Sequence, residues 1–290
     1  MNNLKTALWM TVLTVLFVLL GRLVAGDVGM IAAFVLAVAL NGVAYWFSDR
    51  IALRMARAEE VSAAEAPLLH ELAGRLALDY GIPRPRVYIS PDPTPNGFAT
   101  GRSPRHAAIV VNRGLLDQLG ARELYGVLAH ELGHVRNRDI LISSVIAVLA
   151  GAITLVANLA QWSLWWGGGD SDDDQGANPL GLVAVLLTAL LAPLAATLIQ
   201  LAVSRSREYE ADASAARVTR DPLALADALE WLHVAGARSA SPLAQPAFAH
   251  LYIVNPLSGG GFSALFSTHP PVEERIRRLE SMAARAVASA

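Results

Sequence analysis

Four long apolar runs constrain the fold of this chain more than any other feature. They cover residues 7–25, 28–47, 140–166 and 179–203. Each is about as long as the roughly 20 residues that a helix needs to cross a bilayer. The sequence is 54% hydrophobic and only 17% charged, whereas about a quarter of a typical soluble protein is charged. Because one soluble core in a chain of 290 residues would not bury four such helices, we predict four transmembrane helices.

The runs fall into two pairs, which predicts two transmembrane hairpins. Only Gly26 and Asp27 separate the first two runs, so we expect a tight turn there. The loop after the third run, residues 167–176, is rich in Gly and Asp and contains no Lys or Arg. Since basic flanks stay in the cytoplasm, both termini are predicted to be cytoplasmic. The arginines that flank the other ends of the runs are Arg50, Arg54, Arg57, Arg136, Arg138, Arg205 and Arg207.

A second informative feature is the motif His130-Glu131-Leu132-Gly133-His134. On an α-helix, residues four positions apart lie on one face, so both histidines can direct ring nitrogens at one tetrahedral Zn²⁺. Glu131 then has the position of the general base in zinc peptidases. The alternative is a chance match on an ordinary helix, and the surrounding sequence has to decide between the two.

The segment Glu208-Tyr209-Glu210-Ala211-Asp212 offers a third ligand. A catalytic zinc takes three protein ligands and keeps an open position, and two histidines with one glutamate are a common set. Glu208 and Asp212 share a helix face, whereas Glu210 points in roughly the opposite direction. We therefore predict that Glu208 is the ligand and that Asp212 accepts the free ring N–H of His130. The alternative is a charged, solvated helix face.

The two zinc motifs flank the second hairpin, because His134 precedes the third run and Glu208 follows the fourth. An antiparallel pair of helices returns the chain to its starting side, so all three ligands are expected to meet at the membrane surface. The predicted fold class is a mainly α membrane protein with a small α+β catalytic domain of the zincin type. The predicted parts are an N-terminal transmembrane hairpin (1–49), a first catalytic part (50–139), a second hairpin (140–203) and a second catalytic part (204–290).

Several short segments predict the rest of the catalytic domain. Residues 64–79 have the periodicity of a helix, and residues 86–90 and 107–111 are typical of strands. Residues 96–101 form a turn that leads into an extended piece, so we expect a small sheet beside the zinc helix. An edge strand at 96–101 can bind an extended substrate by main-chain pairing, and the alternative is a purely structural hairpin.

Composition excludes several other functions. The chain has no cysteine, so it has neither disulfides nor a thiol nucleophile. It lacks the phosphate-binding glycine motif of the GxxxxGK[ST] kind. Its net charge of −2 argues against a nucleic-acid partner. The first apolar run lacks a small-residue cleavage site, which favours a retained membrane anchor.

Together these motifs resemble the HtpX family of membrane-bound zinc metalloproteases, which is related to the CAAX prenyl proteases. The resemblance extends over nearly the whole chain. It implies a protease of the bacterial inner membrane, with one zinc ion per chain, that cleaves misfolded or damaged membrane proteins on the cytoplasmic side. The matching segments are the two hairpins, Asn96 to Gly101, His130 to Asp139, Ser204 to Asp212 and Thr268 to Ile276.

Two other functions fit the sequence less well. A CAAX-type protease acting on prenylated C-termini needs a large intramembrane chamber, which four spans are too few to enclose. A catalytically silent scaffold braced by zinc is disfavoured, since structural zinc sites are usually closed and rich in thiolates. The resemblance also places His269 near the cleft. There it either donates a hydrogen bond to the developing oxyanion or is an ordinary loop residue before the last helix.

Overall fold

The computed structural model describes residues 2–166, 205–238, 241–243, 245–256 and 270–288. The predicted acidic loop, the fourth apolar run and His269 lie outside these residues. The described helices are α1 (Asn2–Met55), α2 (Pro67–Tyr80), α3 (Arg113–Gln118), α4 (Ala121–Asn137), α5 (Ile140–Trp166), α6 (Arg205–Thr219), α7 (Pro222–Arg238) and α8 (Val272–Ala288). The described strands are β1 (Glu59–Glu60), β2 (Arg86–Ser90), β3 (Gly97–Thr100) and β4 (Ala108–Asn112), and two 3₁₀ turns cover Pro104–His106 and Pro246–Leu251.

Helix α1 is folded back on itself near its middle. The side-chain amide of Asn41 donates hydrogen bonds to the carbonyl of Met10 (3.2 Å) and the hydroxyl of Thr14 (2.8 Å). In a straight helix, residues so far apart in sequence would be separated by roughly 40 Å. The reversal occurs at Gly26, whose φ of +60° suits a residue without a Cβ. The tight turn predicted at Gly26 is therefore present.

One of the described helices is long and apolar enough to cross a membrane. It is Gly26–Met55, with a mean hydropathy of 2.1. Large apolar side chains such as Phe34 and Leu36 are exposed on its surface, as a lipid-facing helix requires. Thr6–Leu19 and Ile140–Ile153 are apolar but shorter. The described residues thus support one membrane span, and the prediction of four spans is not confirmed.

The four strands form one sheet in the order β1-β2-β4-β3. β2 and β4 are parallel, with Arg86 opposite Ala108, whereas β3 runs antiparallel to β4, with Gly97 opposite Val111. The sequence therefore predicts the three longer strands within about one residue at each end. β3 forms an edge of the sheet, as expected.

Helix α4 lies at the centre of the catalytic part. Leu128, Leu132 and Val135 are fully buried in a core shared with α2, the sheet, α6 and α7. A side chain at Gly133 would place its Cβ only 3.4 Å from the backbone of Ala211 in α6. The two helices that carry the predicted ligands therefore pack directly against each other at this position.

A second core joins the sheet to the hairpin formed by α1. Phe98 of β3 and Val110 of β4 pack in one buried cluster with Ala44 and Ala52 of α1 and Ile142 of α5. The first half of α5, unlike the exposed surface of Gly26–Met55, is therefore largely buried. The hairpin and the sheet form a continuous apolar interior.

Candidate metal centre

Three predicted ligands meet between α4 and α6. Ligand atoms of His130, His134 and Glu208 all lie within 4.8 Å of one another. The Nε2 atoms of the two histidines are 3.1 Å apart, and the Glu208 carboxylate oxygens lie 3.6 Å from His134 Nε2 and 3.8 Å from His130 Nε2. Donors about 2.0–2.2 Å from a tetrahedral zinc are separated by roughly 3.3–3.5 Å. The spacing of the cluster therefore fits zinc.

Each histidine has a carboxylate on its other ring nitrogen. Asp212 Oδ1 lies 2.8 Å from His130 Nδ1, and Asp139 Oδ2 lies 3.1 Å from His134 Nδ1. Because a carboxylate accepts hydrogen bonds, these contacts favour a proton on both Nδ1 atoms and a lone pair on both Nε2 atoms. Two lone pairs and the Glu208 carboxylate then converge in a buried space, an arrangement that a cation stabilises.

The sequence did not single out Asp139. It lies two residues beyond the end of α4, after Arg138, whose φ of +57° reverses the backbone. Helical periodicity does not extend through such a residue, so spacing alone gives no reason to turn Asp139 towards His134. The only signal was its place in the resembled motif.

Arg275 of α8 is the second residue that sequence reasoning missed. Its side chain is fully buried, and it donates from Nε to Asp212 Oδ2 (2.8 Å) and from Nη2 to Asp212 Oδ1 (2.7 Å). Nη1 donates to the carbonyl of Ile253 (3.2 Å), and Nη2 lies 3.3 Å from His130 Nδ1. The charged sequence of α8 predicts a solvated helix face, and neighbouring arginines such as Arg278 are indeed exposed. Nothing in that pattern distinguishes Arg275 as the buried one.

Electrostatics at the centre favour a positive charge among the ligands. Burial lowers the pKa of His130, and Arg275 adds to this effect, so the ring is neutral, the form that binds metal. Burial opposes a charge on His134 as well, but the carboxylates of Asp139 and Glu208 raise its pKa to about 10. His134 therefore binds a cation strongly, either a proton or a metal ion that displaces it.

Asp212 and Glu131 are both buried carboxyl groups, but their surroundings differ. Burial disfavours ionisation of Asp212, yet Arg275 outweighs this effect and lowers its pKa to about 2. Burial raises the pKa of Glu131 to about 8, and nearby Glu208 adds to the rise. Asp212 is thus a permanent anion, whereas Glu131 readily holds a proton.

Glu131 lies beside the ligand cluster and is held by the sheet. Its Oε2 accepts a hydrogen bond from the backbone N–H of Ala99 in β3 (2.8 Å). Glu131 and Ala99 line the same cavity as the three ligands. The cavity has a volume of about 30 Å³, which is enough for an ion with a water molecule.

The outer edge of β3 is partly occupied. The N–H of Asn112 bonds to the carbonyl of Asn96, so alternation along an antiparallel pair directs the backbone groups of Gly97 and Ala99 away from β4. The Gly97 carbonyl accepts from the N–H of Ile253 (3.1 Å), and the Ala99 N–H is used by Glu131. Fewer backbone groups of residues 96–101 are therefore available to pair with a substrate than the sequence predicts.

Comparison with known proteins identifies the family. Residues 63–283 match the family described as Peptidase family M48. The chain belongs to this family. Relatives of this M48 member include proteins called Protease HtpX homolog. The one from Persephonella marina is 52% identical over 289 residues, covering 98% of this chain and 99% of the relative. The one from Pyrococcus furiosus is 51% identical over 279 residues, covering 96% and 95%.

A solved structure shows the same fold. The M48 chain is similar to the crystal structure of S. mikatae Ste24p, with a TM-score of 0.51 and 20% sequence identity. The match covers 96% of this chain and 64% of the Ste24p chain.

Membership of M48 makes this protein a metalloprotease, and the prediction of a zinc cofactor is confirmed. Its HtpX-type relatives and the apolar helix Gly26–Met55 identify a membrane protease.

Proposed function

We propose that this M48 protease is a multi-pass enzyme of the cell inner membrane that cleaves misfolded or damaged membrane proteins on the cytoplasmic side. The observation that carries the proposal is the position of the metal centre. Helix α4 carries His134, and only Arg138 and Asp139 separate α4 from the apolar helix α5. Peptide bonds that reach the ligands are thus cleaved beside the membrane, where damaged membrane proteins expose their unfolded segments.

The residues around the centre have distinct roles in hydrolysis. His130, His134 and Glu208 would hold a zinc ion, which would supply Lewis-acid chemistry that polarises the scissile carbonyl and lowers the pKa of the attacking water. The Glu131 carboxylate accepts the proton of that water and then delivers a proton to the nitrogen of the leaving amine. The Ala99 N–H fixes the orientation of this carboxylate.

Substrate enters as an extended strand beside β3. The outward carbonyl of Ala99 offers main-chain pairing next to Glu131, and such pairing makes few demands on sequence. Residues 253–254 contact the same edge through Gly97 and Asn96, so a bound peptide has to run past them or displace them. Broad preference for unfolded segments follows, which suits a quality-control protease.

A reconstituted system tests the proposal. The full chain is inserted into liposomes with a membrane protein that can be supplied either folded or destabilised, and fragments are followed with zinc present, removed by chelator and restored. We expect cleavage of the destabilised protein only, loss with chelator and recovery with zinc. Equal cleavage of both forms would contradict a quality-control role, while cleavage of a prenylated C-terminal peptide alone would favour the CAAX-type alternative.

A further inference from the structure

A second cavity of about 580 Å³ lies at the C-terminal end of α4. Among the described residues that line it, none is acidic. We refer to it as the basic cavity. Its four arginines are Arg102, Arg105, Arg136 and Arg138.

The basic cavity lies at the level of a membrane surface. Its wall includes Ile140 and Leu141, the first two residues of the apolar helix α5. The guanidinium carbon of Arg102 lies 5.0 Å from the ring centroid of Trp46. Trp46 is 56% exposed in the second half of the membrane-spanning helix Gly26–Met55, and tryptophan is enriched where membranes meet water. Both contacts place the cavity at the height of lipid headgroups.

Two arginines of the basic cavity lack anionic partners among the described residues. Arg105 and Arg136 are exposed, and neither forms an ion pair with a described residue. Arg122 shows the contrast, because it binds the carboxylates of Asp221 and Asp227 at 2.6 Å. Several like charges around one space repel each other, and a bound anion removes that repulsion.

We propose that the basic cavity binds the phosphate headgroup of an anionic phospholipid. Guanidinium groups match phosphate oxygens in charge and geometry, and basic pockets beside transmembrane helices are suited to lipid headgroups. The volume lies within the usual range of small-molecule sites. The exposed apolar face of Gly26–Met55, which Arg102 meets at Trp46, provides surface for acyl chains that a free phosphate would leave unused.

A headgroup bound there contacts the end of the helix that carries His134. It therefore anchors the catalytic part against the bilayer at the point where α4 passes into α5. The inference requires that the chain lies in a membrane, but it does not depend on which substrate is cleaved.

Titration of the detergent-solubilised, zinc-loaded full chain tests the inference. The ligands are dioctanoyl phosphatidylglycerol, dioctanoyl phosphatidylcholine and inorganic phosphate, with binding followed by calorimetry. The double variant Arg105→Gln/Arg136→Gln removes two arginines that form no ion pair with a described residue. The matched control Arg75→Gln/Arg113→Gln removes the same charge outside the cavity. Zinc content and thermal unfolding check that each variant is folded.

We expect the wild-type chain to bind phosphatidylglycerol more tightly than the other two ligands. The cavity variant should bind it roughly 30-fold more weakly, about fivefold for each arginine lost, while the control keeps wild-type affinity. Equal affinity for the two lipids, or equal losses in both variants, would overturn the proposal. Inorganic phosphate that binds as tightly as phosphatidylglycerol would overturn the lipid assignment. No outcome depends on peptidase activity, so failure here is distinct from failure of the proposed function.

Discussion

Arg275 donates two parallel hydrogen bonds to Asp212, from Nε to Oδ2 at 2.8 Å and from Nη2 to Oδ1 at 2.7 Å. Asp212 in turn lies 2.8 Å from Nδ1 of His130. A residue of the last described helix thereby fixes the ring of a metal ligand that lies far away in sequence. Since partners of ligating histidines commonly contribute 10- to 100-fold to metal affinity, we expect Arg275 to act as a positioning residue for the zinc site.

Replacing Arg275 distinguishes its effect on zinc binding from its effect on the stability of the protein. Arg275→Met should weaken zinc binding by about 10- to 100-fold and destabilise the protein by about 3–5 kcal/mol, because Asp212 is left as an uncompensated buried charge. The double variant Asp212→Asn/Arg275→Met should regain stability but not zinc affinity. Competition with a chromogenic chelator measures affinity, and Arg277→Met on the exposed face is the control. Full recovery of zinc affinity in the double variant would show a merely structural role.

The three ligands are tested by metal analysis. His130→Ala, His134→Ala and Glu208→Ala should each lose most bound zinc, because two remaining ligands hold the ion far more weakly than three. Glu210→Ala, in the same helix as Glu208 but exposed, should keep one zinc per chain. Near-stoichiometric zinc in Glu208→Ala would move the third ligand elsewhere, with Asp212 the first candidate.

The proposed base is tested by a neutral isostere. Glu131→Gln should retain zinc, since Glu131 is outside the ligand cluster, and should lose about 10²- to 10⁴-fold in turnover. Its amide oxygen can still accept the hydrogen bond from Ala99, so the structure should be preserved. Glu123→Gln, in the first turn of the same helix, serves as the control. Wild-type turnover in Glu131→Gln would rule out the assignment.

Membrane orientation can be tested by labelling introduced cysteines, because the chain contains no cysteine of its own. Ser171→Cys places a thiol in the predicted outer loop, and Ser281→Cys places one on the exposed surface of α8. In intact cells with a permeabilised outer membrane, an impermeant maleimide should label the first variant only. Labelling of Ser281→Cys without permeabilising the inner membrane would contradict the cytoplasmic location of the catalytic part.

Lowering the pH should weaken the surface ion pair between Arg122 and Asp221. Arg122 hydrogen bonds lower the pKa of Asp221, so the carboxylate stabilises the fold fully above the unfolded value of about 3.9. That contribution is lost as the pH falls through the folded pKa. The groups are partly exposed, so the effect is below about 1 kcal/mol. The difference in unfolding free energy between wild type and Asp221→Asn should shrink from pH 6 to pH 3, and a difference that stays constant over this range would contradict the prediction.

The sequence predicts those features that depend on local spacing. The residues from His130 to His134 fix their own geometry once α4 forms, and Glu208 and Asp212 share a face of α6 for the same reason. The strands β2 and β4 follow from their β-branched runs. Local patterns also place the turn at Gly26, because a glycine with an aspartate interrupts otherwise continuous apolar sequence.

The features that the sequence misses depend on distant packing. Arg275 meets Asp212 across 63 positions of sequence, and its own helix has a charge pattern typical of a solvated face. Ile253 meets Gly97 at the sheet edge through a short segment whose own sequence does not say which strand it contacts. Periodicity describes one element at a time, so it cannot show which elements come together or which polar group becomes buried between them.

The shared apolar interior of Phe98, Ile142 and Ala52 has a consequence for how such an enzyme can be controlled. Cutting the polypeptide after α1 would not liberate a working soluble protease, because the back of the sheet would lose its cover and expose Phe98 and its neighbours to water. The proteolytic site is therefore tied to the membrane through folding itself, because separation from the hairpin removes the packing on which the catalytic part depends.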